Sequence, residues 1–394
     1  MKNIMLIVPK LAQGGQERIC LLTARILAKE YRVTVVIFSD KDKFYSTEGL
    51  DVINLNIGAS SGKISKIFNV LRRTLRLGRL KKKLKTDLAY SFGNTANLAN
   101  VLSRKNEVIW TGIRQFPDTV PSGQRKFIYS HADAVVSCTA VMDGAVWENF
   151  RVKKHFYLYN PLDTGQDLEK MKEPVSEDIL KFLKRPGRTV VAVGRMDDQK
   201  GYWHLVKAVG ALHKRIPVKL LFMGVGETAE YEALAKAVGL EEDVFFAGGR
   251  KNPFSAMKAC DVFALTSPNE GFPNTLVEAL LCGLVTVSVN CKTGPAEILG
   301  ENPARFADDT VTHMAEYGIL TPALPGGRNM NPEEFSEGEQ ALADALFLAL
   351  SDETVAERYR KTAMSRALTF SNEAYEENIK KAMEATGGSV DEDR

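Results

Sequence analysis

Short apolar runs alternate along this chain with longer stretches of helical periodicity. The runs are apolar at consecutive positions rather than at every second one, which is typical of parallel strands buried on both faces. This alternation predicts a doubly wound α/β sheet in the first half of the chain. The predicted elements there are strands at 4–8, 32–38, 88–91, 108–111, 134–138 and 155–159, and a helix at 17–29.

The pattern lapses and then restarts, which indicates a second domain of the same class. Residues 164–188 are charged and contain proline, so we expect a linker region there. We therefore predict an α/β protein with two Rossmann-like, doubly wound parallel-sheet domains, 1–163 and 189–365, that face each other across a cleft. The predicted elements of the second domain are strands at 189–193, 219–223, 244–247, 262–266 and 285–289, and helices at 203–214, 229–238, 253–260 and 275–282.

The C-terminal segment has helical periodicity over 355–385. We expect residues 366–385 to form a helix that packs back toward the first domain. The acidic end, 386–394, is predicted to be a disordered tail.

Composition narrows the class of protein. A formal net charge of +3 over 394 residues gives no reason to expect nucleic-acid binding. The five cysteines form no Cys-x-x-Cys pair, which favours buried thiols in a reducing compartment. No signal-peptide cleavage site and no run of about 18 apolar residues occurs. We expect a cytoplasmic protein, with peripheral association to the inner face of the membrane as an open alternative.

The most informative stretch is 261–283, where a strand, a loop and a helix follow one another. Glu270 lies on the loop, and Glu278 lies about one turn into the helix. The backbone N–H groups of Asn274, Thr275 and Leu276 would be first-turn donors at the positive end of the helix dipole, which suits a pyrophosphate. A carboxylate on each side could accept hydroxyl hydrogen bonds from a ribose and a sugar.

Two further loops carry candidate ligand-binding groups. Arg195 and Lys200 follow the first strand of the second domain and could neutralise phosphoryl oxygens without a metal ion. Gly14 and Gly15 follow the first strand of the chain, where a backbone can approach a ligand closely. This glycine pair is not a Gly-x-Gly-x-x-Gly fingerprint, so the sequence lacks the main motif that would indicate a nicotinamide-dependent dehydrogenase.

The spacing of Glu270 and Glu278 within EGFPNTLVEAL resembles the Glu-x7-Glu motif of family-four retaining glycosyltransferases, which have the GT-B fold. The resemblance implies that Glu270 contacts the transferred sugar and Glu278 the ribose, with Gly271 and Phe272 in the same donor site. It also implies that the diphosphate lies against further residues already named: Arg195, Lys200, Gly14 and Gly15.

One position departs from the family pattern. Many members carry a histidine in the first domain near the sugar, whereas Arg114 follows the corresponding strand here. The resemblance places Arg114 with Arg195, Lys200 and Glu270 in the catalytic group. It implies a front-face reaction with retention, in which the departing phosphate helps to take the acceptor proton and neither a metal nor another cofactor is needed.

The resemblance implies an enzyme that moves a hexose or N-acetylhexosamine from a nucleotide sugar, most simply a UDP-sugar, to a glycan or lipid-linked acceptor in bacterial surface-polysaccharide synthesis. Two alternatives stay open: a UDP-sugar epimerase of the same fold, and a catalytically silent partner subunit. The sequence names neither the sugar nor the acceptor and linkage, and it leaves the oligomeric state open.

Residues 62–85 contain ten Lys or Arg and no acidic residue. Their leucines recur at helical spacing, with Ile67 and Phe68 upstream. Such a helix could lie on an anionic membrane surface, or it could bury its leucines in the first domain and leave its charges in water. The pattern favours neither reading.

Overall fold

The computed structural model describes residues 2–387 and divides into two units. The first unit comprises Met1–Pro161 and the segment from Asn372 onward, and the second comprises Leu162–Ser371. Each unit is built on one seven-stranded sheet with helices in its connections. The predicted class, α/β with two parallel-sheet domains, is confirmed.

The five central strands of the first sheet are buried along most of their length, as their continuous apolar runs predict, whereas its two edge strands are only partly buried. They are β1 (Asn3–Val8), β2 (Arg32–Ile37), β3 (Asp51–Asn54), β4 (Leu88–Phe92), β5 (Val108–Ile113), β6 (Ala134–Ser137) and β7 (His155–Tyr157). The strands of the second sheet are β8 (Arg188–Val193), β9 (Val218–Met223), β10 (Val244–Phe246), β11 (Val262–Leu265), β12 (Val285–Val289), β13 (His313–Met314) and β14 (Ile319–Thr321).

The two sheets share one strand order over their first five strands. The first runs β3-β2-β1-β4-β5-β6-β7 and the second β10-β9-β8-β11-β12-β14-β13, with only the β13–β14 pair antiparallel. The order therefore reverses between β1 and β4 in one sheet and between β8 and β11 in the other. Ligands of open α/β sheets bind outside the carboxyl ends of the strands at such a switch point.

Helices fill the connections between the strands. In the first half of the chain they are α1 (Gly15–Leu27), α2 (Lys63–Leu84), α3 (Asn94–Leu102), α4 (Gly123–Ser130) and α5 (Ala140–Phe150). The second unit contains α6 (Thr164–Lys170), α7 (Glu177–Leu183), α8 (Tyr202–His213), α9 (Ala229–Ala237), α10 (Phe254–Lys258), α11 (Asn274–Leu281), α12 (Pro295–Leu299), α13 (Glu337–Ser351) and α14 (Glu353–Leu368). The last helix, α15 (Asn372–Thr386), groups with the first unit. Within residues 2–387, none of these helices combines the length and the apolar character that a membrane span requires.

The chain end differs from the single helical segment predicted over 355–385. The helix breaks between Leu368 and Asn372, where Ser371 forms an isolated bridge with Leu162. Tyr375 of α15 is buried in the core of the first unit, and its hydroxyl lies 3.0 Å from the Thr23 hydroxyl. Of the predicted tail, residues 388–394 lie outside the described part of the chain.

The segment 164–188, predicted as a linker, contains α6 and α7 and groups with the second unit. Its helices are too short to give a clear apolar period. Ile179 and Phe182 of α7 are buried, and the Lys219 ammonium donates to the Leu183 carbonyl at 2.8 Å. These contacts join the segment to the second sheet.

The leucines of α2 do not share one environment. Leu77 is buried, and Leu80 and Leu84 pack against the same small core cluster. Leu71 and Leu75 are exposed, as are Ile67 and Phe68. The helix therefore uses only its C-terminal leucines to pack against the first sheet.

Candidate active site

Lys200 and Glu270 meet at the switch point of the second sheet. Lys200 ends the short 3-10 helix Asp198–Lys200 that follows β8, and Glu270 lies on the loop that follows β11. The Lys200 Nζ atom lies 2.6 Å from Glu270 Oε1, and the two side chains are only 14% and 8% exposed. The structure thus pairs two predicted site residues where a ligand of this fold class binds.

The turn at Lys200 is fixed against the end of β11. Gly201 has a φ of 59°, and a Cβ at this position would lie 2.6 Å from the Thr266 carbonyl oxygen. The Thr266 hydroxyl donates in turn to the Lys200 carbonyl at 3.0 Å. This close approach requires a glycine after the lysine and holds the ammonium group toward the Glu270 loop.

The Glu270 loop is fixed from its other side by Thr293 and Gly294. The Thr293 hydroxyl donates to the Glu270 carbonyl oxygen. Gly294 has a φ of 95°, and a Cβ there would lie 2.4 Å from Pro273 Cδ and 2.8 Å from the Gly271 carbonyl oxygen. The carboxylate therefore projects from a loop that is fixed by backbone contacts.

Tyr202, the first residue of α8, adds a buried phenol near this pair. Burial raises its pKa well above the ordinary value, and the charges of Glu270 and Asp197 raise it further. The phenol therefore stays protonated at neutral pH and keeps its capacity to donate a hydrogen bond.

Arg195 lies in the same β8–α8 connection but has different partners. Its guanidinium lies 3.1 Å from Asp197 Oδ2 and 3.3 Å from Gln199 Oε1, and the side chain is 53% exposed. Arg195 therefore presents a solvated charge, whereas Lys200 is shielded. No hydrogen bond or ion pair between Arg195 and the Glu270 loop is found in residues 2–387.

The first turn of α11 differs from the predicted cradle of three N–H donors. The Leu276 N–H donates to the Pro273 carbonyl at 3.0 Å, which is a tight, 3-10-type first turn. Leu276 is therefore not a donor for a ligand, while Asn274 and Thr275 occupy the first two positions of the helix as expected.

Glu278 and Phe272 are both buried in the second unit. Glu278 is 4% exposed and lies on the second turn of α11. The Phe272 ring packs edge-on against Phe370, with centroids 5.4 Å apart. The phenyl group thus anchors the loop in the core, which leaves the backbone of Gly271 and Phe272 as the part that a donor could contact.

Gly14 and Gly15 lie at the switch point of the first sheet, where α1 begins. The Gly14 carbonyl accepts a hydrogen bond from the Tyr45 hydroxyl at 2.9 Å. A Cβ on Gly14 would lie 2.3 Å from the Glu17 carboxylate. This contact is with the end of a flexible side chain that can move aside, and the extended φ of −170° suits any residue, so the fold of the first unit does not itself require a glycine here.

Arg114 follows β5 and is held among uncharged groups of the first unit. Its guanidinium donates to the Tyr90 hydroxyl at 2.6 Å and to Asn160 Oδ1 at 3.0 Å. It also lies 4.9 Å from the centroid of the Phe92 ring. In the described residues it forms no ion pair, and its Nε atom is buried without a hydrogen-bond partner. Arg114 is thus a positive charge that no carboxylate within residues 2–387 neutralises.

Sequence reasoning missed the supporting residues of both clusters. Tyr202, Thr293 and Gly294 stand outside the motif that contains Glu270, and only the fold brings them to it. Tyr90, in the middle of β4, and Asn160, three residues after β7, likewise reach Arg114 from other parts of the first sheet. Residues that follow parallel strands meet at one edge of the sheet, which is the signal that could have found Asn160.

Comparison with known proteins shows which family the second unit resembles. Residues 187–318 match the family described as "Glycosyl transferases group 1", a range that includes Arg195, Lys200, Glu270 and Glu278. The chain is 26% identical over 348 residues to an uncharacterized glycosyltransferase of Methanocaldococcus jannaschii, covering 81% of this chain and 84% of that one.

A second relative is similar over nearly the full length. It is the N-acetylgalactosamine-N,N'-diacetylbacillosaminyl-diphospho-undecaprenol 4-alpha-N-acetylgalactosaminyltransferase of Campylobacter jejuni, 26% identical over 94% of this chain and 96% of its own length. Among solved structures, an Anabaena protein in complex with UDP and glucose superposes with a TM-score of 0.72 at 19% identity, covering 97% of this chain and 99% of that one. The chain therefore has the fold of GT-B glycosyltransferases, and residues 187–318 match the group 1 glycosyltransferase family.

Proposed function

We propose that this protein is a retaining, metal-independent glycosyltransferase that moves a hexose or N-acetylhexosamine from a UDP-sugar to a glycan or lipid-linked acceptor in cell-surface polysaccharide synthesis. The observation that carries the proposal is the buried ion pair of Lys200 and Glu270 at the switch point between β8 and β11. It puts a cation for the diphosphate beside a carboxylate for the sugar.

Lys200 and Arg195 supply the positive charge that the leaving nucleotide requires. An ammonium has three N–H donors, of which Lys200 uses one on Glu270, so the others can reach a phosphoryl oxygen. Negative charge grows on the diphosphate as its bond to the sugar breaks, and a fixed cation in a shielded site stabilises that change most. The more exposed Arg195 guanidinium would bind the same diphosphate from the solvent side.

Glu270 and Glu278 divide the hydroxyl contacts between them. A carboxylate accepts hydrogen bonds from sugar hydroxyls, and Glu270 is fixed by Thr293 and Lys200 for that role. Glu278, one helical turn into α11, would accept from the ribose. Donor binding and sugar orientation are therefore assigned to different carboxylates.

Retention follows the resemblance to family-four enzymes. The acceptor oxygen attacks the anomeric carbon on the face that the diphosphate leaves, so the new bond forms as the old one breaks. The departing phosphate oxygen takes the acceptor proton, and Lys200 stabilises the phosphate. By the same resemblance, Arg114 would hold a hydroxyl or an anionic group near the sugar, since it forms no ion pair with a carboxylate in residues 2–387.

The relatives support the substrate classes. The superposed Anabaena structure contains UDP and glucose, and the Campylobacter relative is named for a diphospho-undecaprenol acceptor. Both fit a nucleotide-sugar donor and a lipid-linked acceptor.

A panel of nucleotide sugars tests the donor. We expect one UDP-sugar to raise the melting temperature, because a ligand that binds the folded state stabilises it by mass action. Lys200→Gln should abolish that shift, whereas Lys214→Gln, an exposed lysine at the far end of α8, should keep it. Equal shifts for both variants would remove Lys200 from the donor site.

NMR of the reaction then tests the chemistry. Slow hydrolysis of the donor with retention of the anomeric configuration, in buffer that contains EDTA and no added metal ion, supports the metal-independent transferase. An altered sugar stereocentre would identify an epimerase, and binding without any turnover of the UDP-sugars would identify a silent subunit.

A further inference from the structure

The N-terminal half of α2 carries a row of exposed apolar side chains, here called the apolar stripe. Their spacing of three or four residues places them on one face of the helix. The exposed fractions are large for residues of this type. They are 86% for Ile64, 72% for Ile67, 57% for Phe68, 53% for Leu71 and 51% for Leu75.

The apolar stripe is not the face that packs on the sheet. The opposite face carries Leu77, which is fully buried, and Arg73, whose guanidinium donates to the Ile57 carbonyl at 2.9 Å. Lys81 on that side lies 2.6 Å from Glu107, and both side chains are buried. The orientation of α2 is thus fixed from behind, and the stripe faces away from the core that this helix helps to form.

Basic residues continue the same face toward the C-terminus of α2. On a helix of 3.6 residues per turn, Lys82 lies in line with Ile64, and Arg72 and Arg79 lie roughly 80° and 60° to one side of that line. All three are exposed and none forms an ion pair in residues 2–387. From residue 52 to residue 86 the chain contains no Asp or Glu. The face therefore combines apolar side chains with an uncompensated positive charge.

From this arrangement we infer that α2 docks on the surface of a membrane rich in anionic phospholipid, with the apolar stripe in the headgroup boundary and the basic residues on the phosphates. From Ile64 to Leu75 the stripe is about 16 Å long, at 1.5 Å per residue. A helix with an apolar face and basic flanks lies in the plane of such a surface. Charge complementarity makes the lipid headgroups the occupant.

A second copy of this chain is a poor occupant, because two such faces would bring like charges together in an interface. A folded protein partner fits less well than lipid. Protein interfaces rely on Trp, Tyr and Arg at their centres, whereas the centre of this face is Ile, Leu and Phe. The inference extends the proposed function by stating where a lipid-linked acceptor would be met, but it does not depend on the identity of the donor.

Vesicle sedimentation of the full chain tests the inference. We expect the protein to pellet with vesicles of phosphatidylcholine mixed with phosphatidylglycerol, to pellet weakly with phosphatidylcholine alone, and to be released by salt. The charge variant Arg72→Gln/Arg79→Gln/Lys82→Gln should lower partitioning about a hundredfold, at about fivefold for each of the three charges removed. The matched control Lys181→Gln/Lys184→Gln/Lys214→Gln removes three exposed charges from the second unit and should bind like the parent.

The stripe is tested by Ile64→Ser/Ile67→Ser/Leu71→Ser, which should weaken binding to anionic vesicles and reduce the part of binding that resists salt. Equal pelleting with neutral and anionic vesicles, or equal loss in the charge variant and its control, would overturn the inference. So would a dimer in sedimentation velocity that the serine variant dissociates while vesicle binding is absent. Melting shifts with UDP, measured on the same samples, report the donor site separately, so a failed donor assignment and a failed docking surface are distinguishable.

Discussion

Lys200 Nζ and Glu270 Oε1 are 2.6 Å apart, although their residues follow different strands of the second sheet. The pair is largely shielded from water, and such a pair loses more when one partner is removed than when both are neutralised together. Stability and catalysis should therefore respond differently to single and double substitutions.

Lys200→Gln should lower the free energy of unfolding by about 1–3 kcal/mol, because Glu270 is left charged without its partner. It should also lower kcat/KM by about two to three powers of ten, the usual effect of removing one group that stabilises transition-state charge. Urea denaturation and steady-state kinetics measure the two effects. The double variant Lys200→Gln/Glu270→Gln should recover much of the stability and none of the turnover. Recovered turnover would show that the pair is only structural.

Glu278→Gln and Glu270→Gln should separate binding from turnover. Glu278 is assigned to the ribose, so its variant should raise the Kd for UDP itself, by about tenfold if one charged hydrogen bond is lost. Glu270 is assigned to the sugar, so its variant should bind UDP like the parent and turn over more slowly. Calorimetric titration with UDP and kinetics with the UDP-sugar measure the two quantities. The same Kd for both variants would contradict the assignment.

Much of this site could be predicted from the sequence, because it lies at strand ends. The runs that form β8 and β11 are apolar and short, and the polar residues that follow them must meet at one sheet edge, as Lys200 and Glu270 do. The sequence predicts three unpaired backbone N–H groups at the start of α11. This is wrong for Leu276, whose N–H donates to the Pro273 carbonyl. The tight first turn begins at the Pro273 carbonyl, and the apolar period of the helix gives no sign of such a turn.

The environment of α2 could not be predicted for a different reason. Its leucines have helical spacing on both faces, and periodicity alone does not say which face packs inward. Distant residues decide this: Glu107 pairs with Lys81, and the Ile57 carbonyl binds Arg73. Tertiary contacts of this kind have no local signal in the sequence.

Gly294→Ala should destabilise the Glu270 loop. Alanine is strained at the positive φ of 95°, and its methyl group would be too close to Pro273 and Gly271. Gly283→Ala is the matched control, because Gly283 has a φ of 73° and open space around its Cβ position. Gly283→Ala should lower the free energy of unfolding by about 1–2 kcal/mol, because an alanine is strained in the left-handed backbone conformation. Gly294→Ala should lower it by about 1–3 kcal/mol more, because of the added contacts. Thermal unfolding with and without UDP-sugar checks this. Equal losses would mean that the loop moves aside without cost.

Arg114→Lys should lower turnover by about tenfold to a hundredfold, the equivalent of one lost charged hydrogen bond. A lysine provides one compact charge and cannot reach Tyr90 and Asn160 together while it stacks on Phe92. Arg104→Lys is the control, since Arg104 forms a half-exposed pair with Asp133 and such pairs contribute little. Donor affinity, measured by calorimetry with UDP, should be unchanged in both. A variant of Arg114 with parental turnover would exclude it from the catalytic group.

Lys81 predicts a pH dependence of stability in the first unit. Burial lowers the pKa of Lys81 to about 8, although Glu107 opposes this change. In the unfolded chain the lysine keeps its ordinary pKa near 10.5. Between these values the unfolded chain holds a proton that the folded chain has released, so stability from this residue rises with pH across that window and is constant below it.

The comparison with Lys81→Met isolates this contribution. The free energy of unfolding of the parent minus that of the variant should rise as the pH is raised from about 8 toward 10. It should stay level from about pH 6 to 8. Lys214→Met, a change at an exposed lysine, should show a difference that is small and independent of pH. If the difference for Lys81→Met were largest at low pH and fell as pH rose, the pairing with Glu107 would outweigh burial, and Lys81 would titrate above rather than below its ordinary pKa.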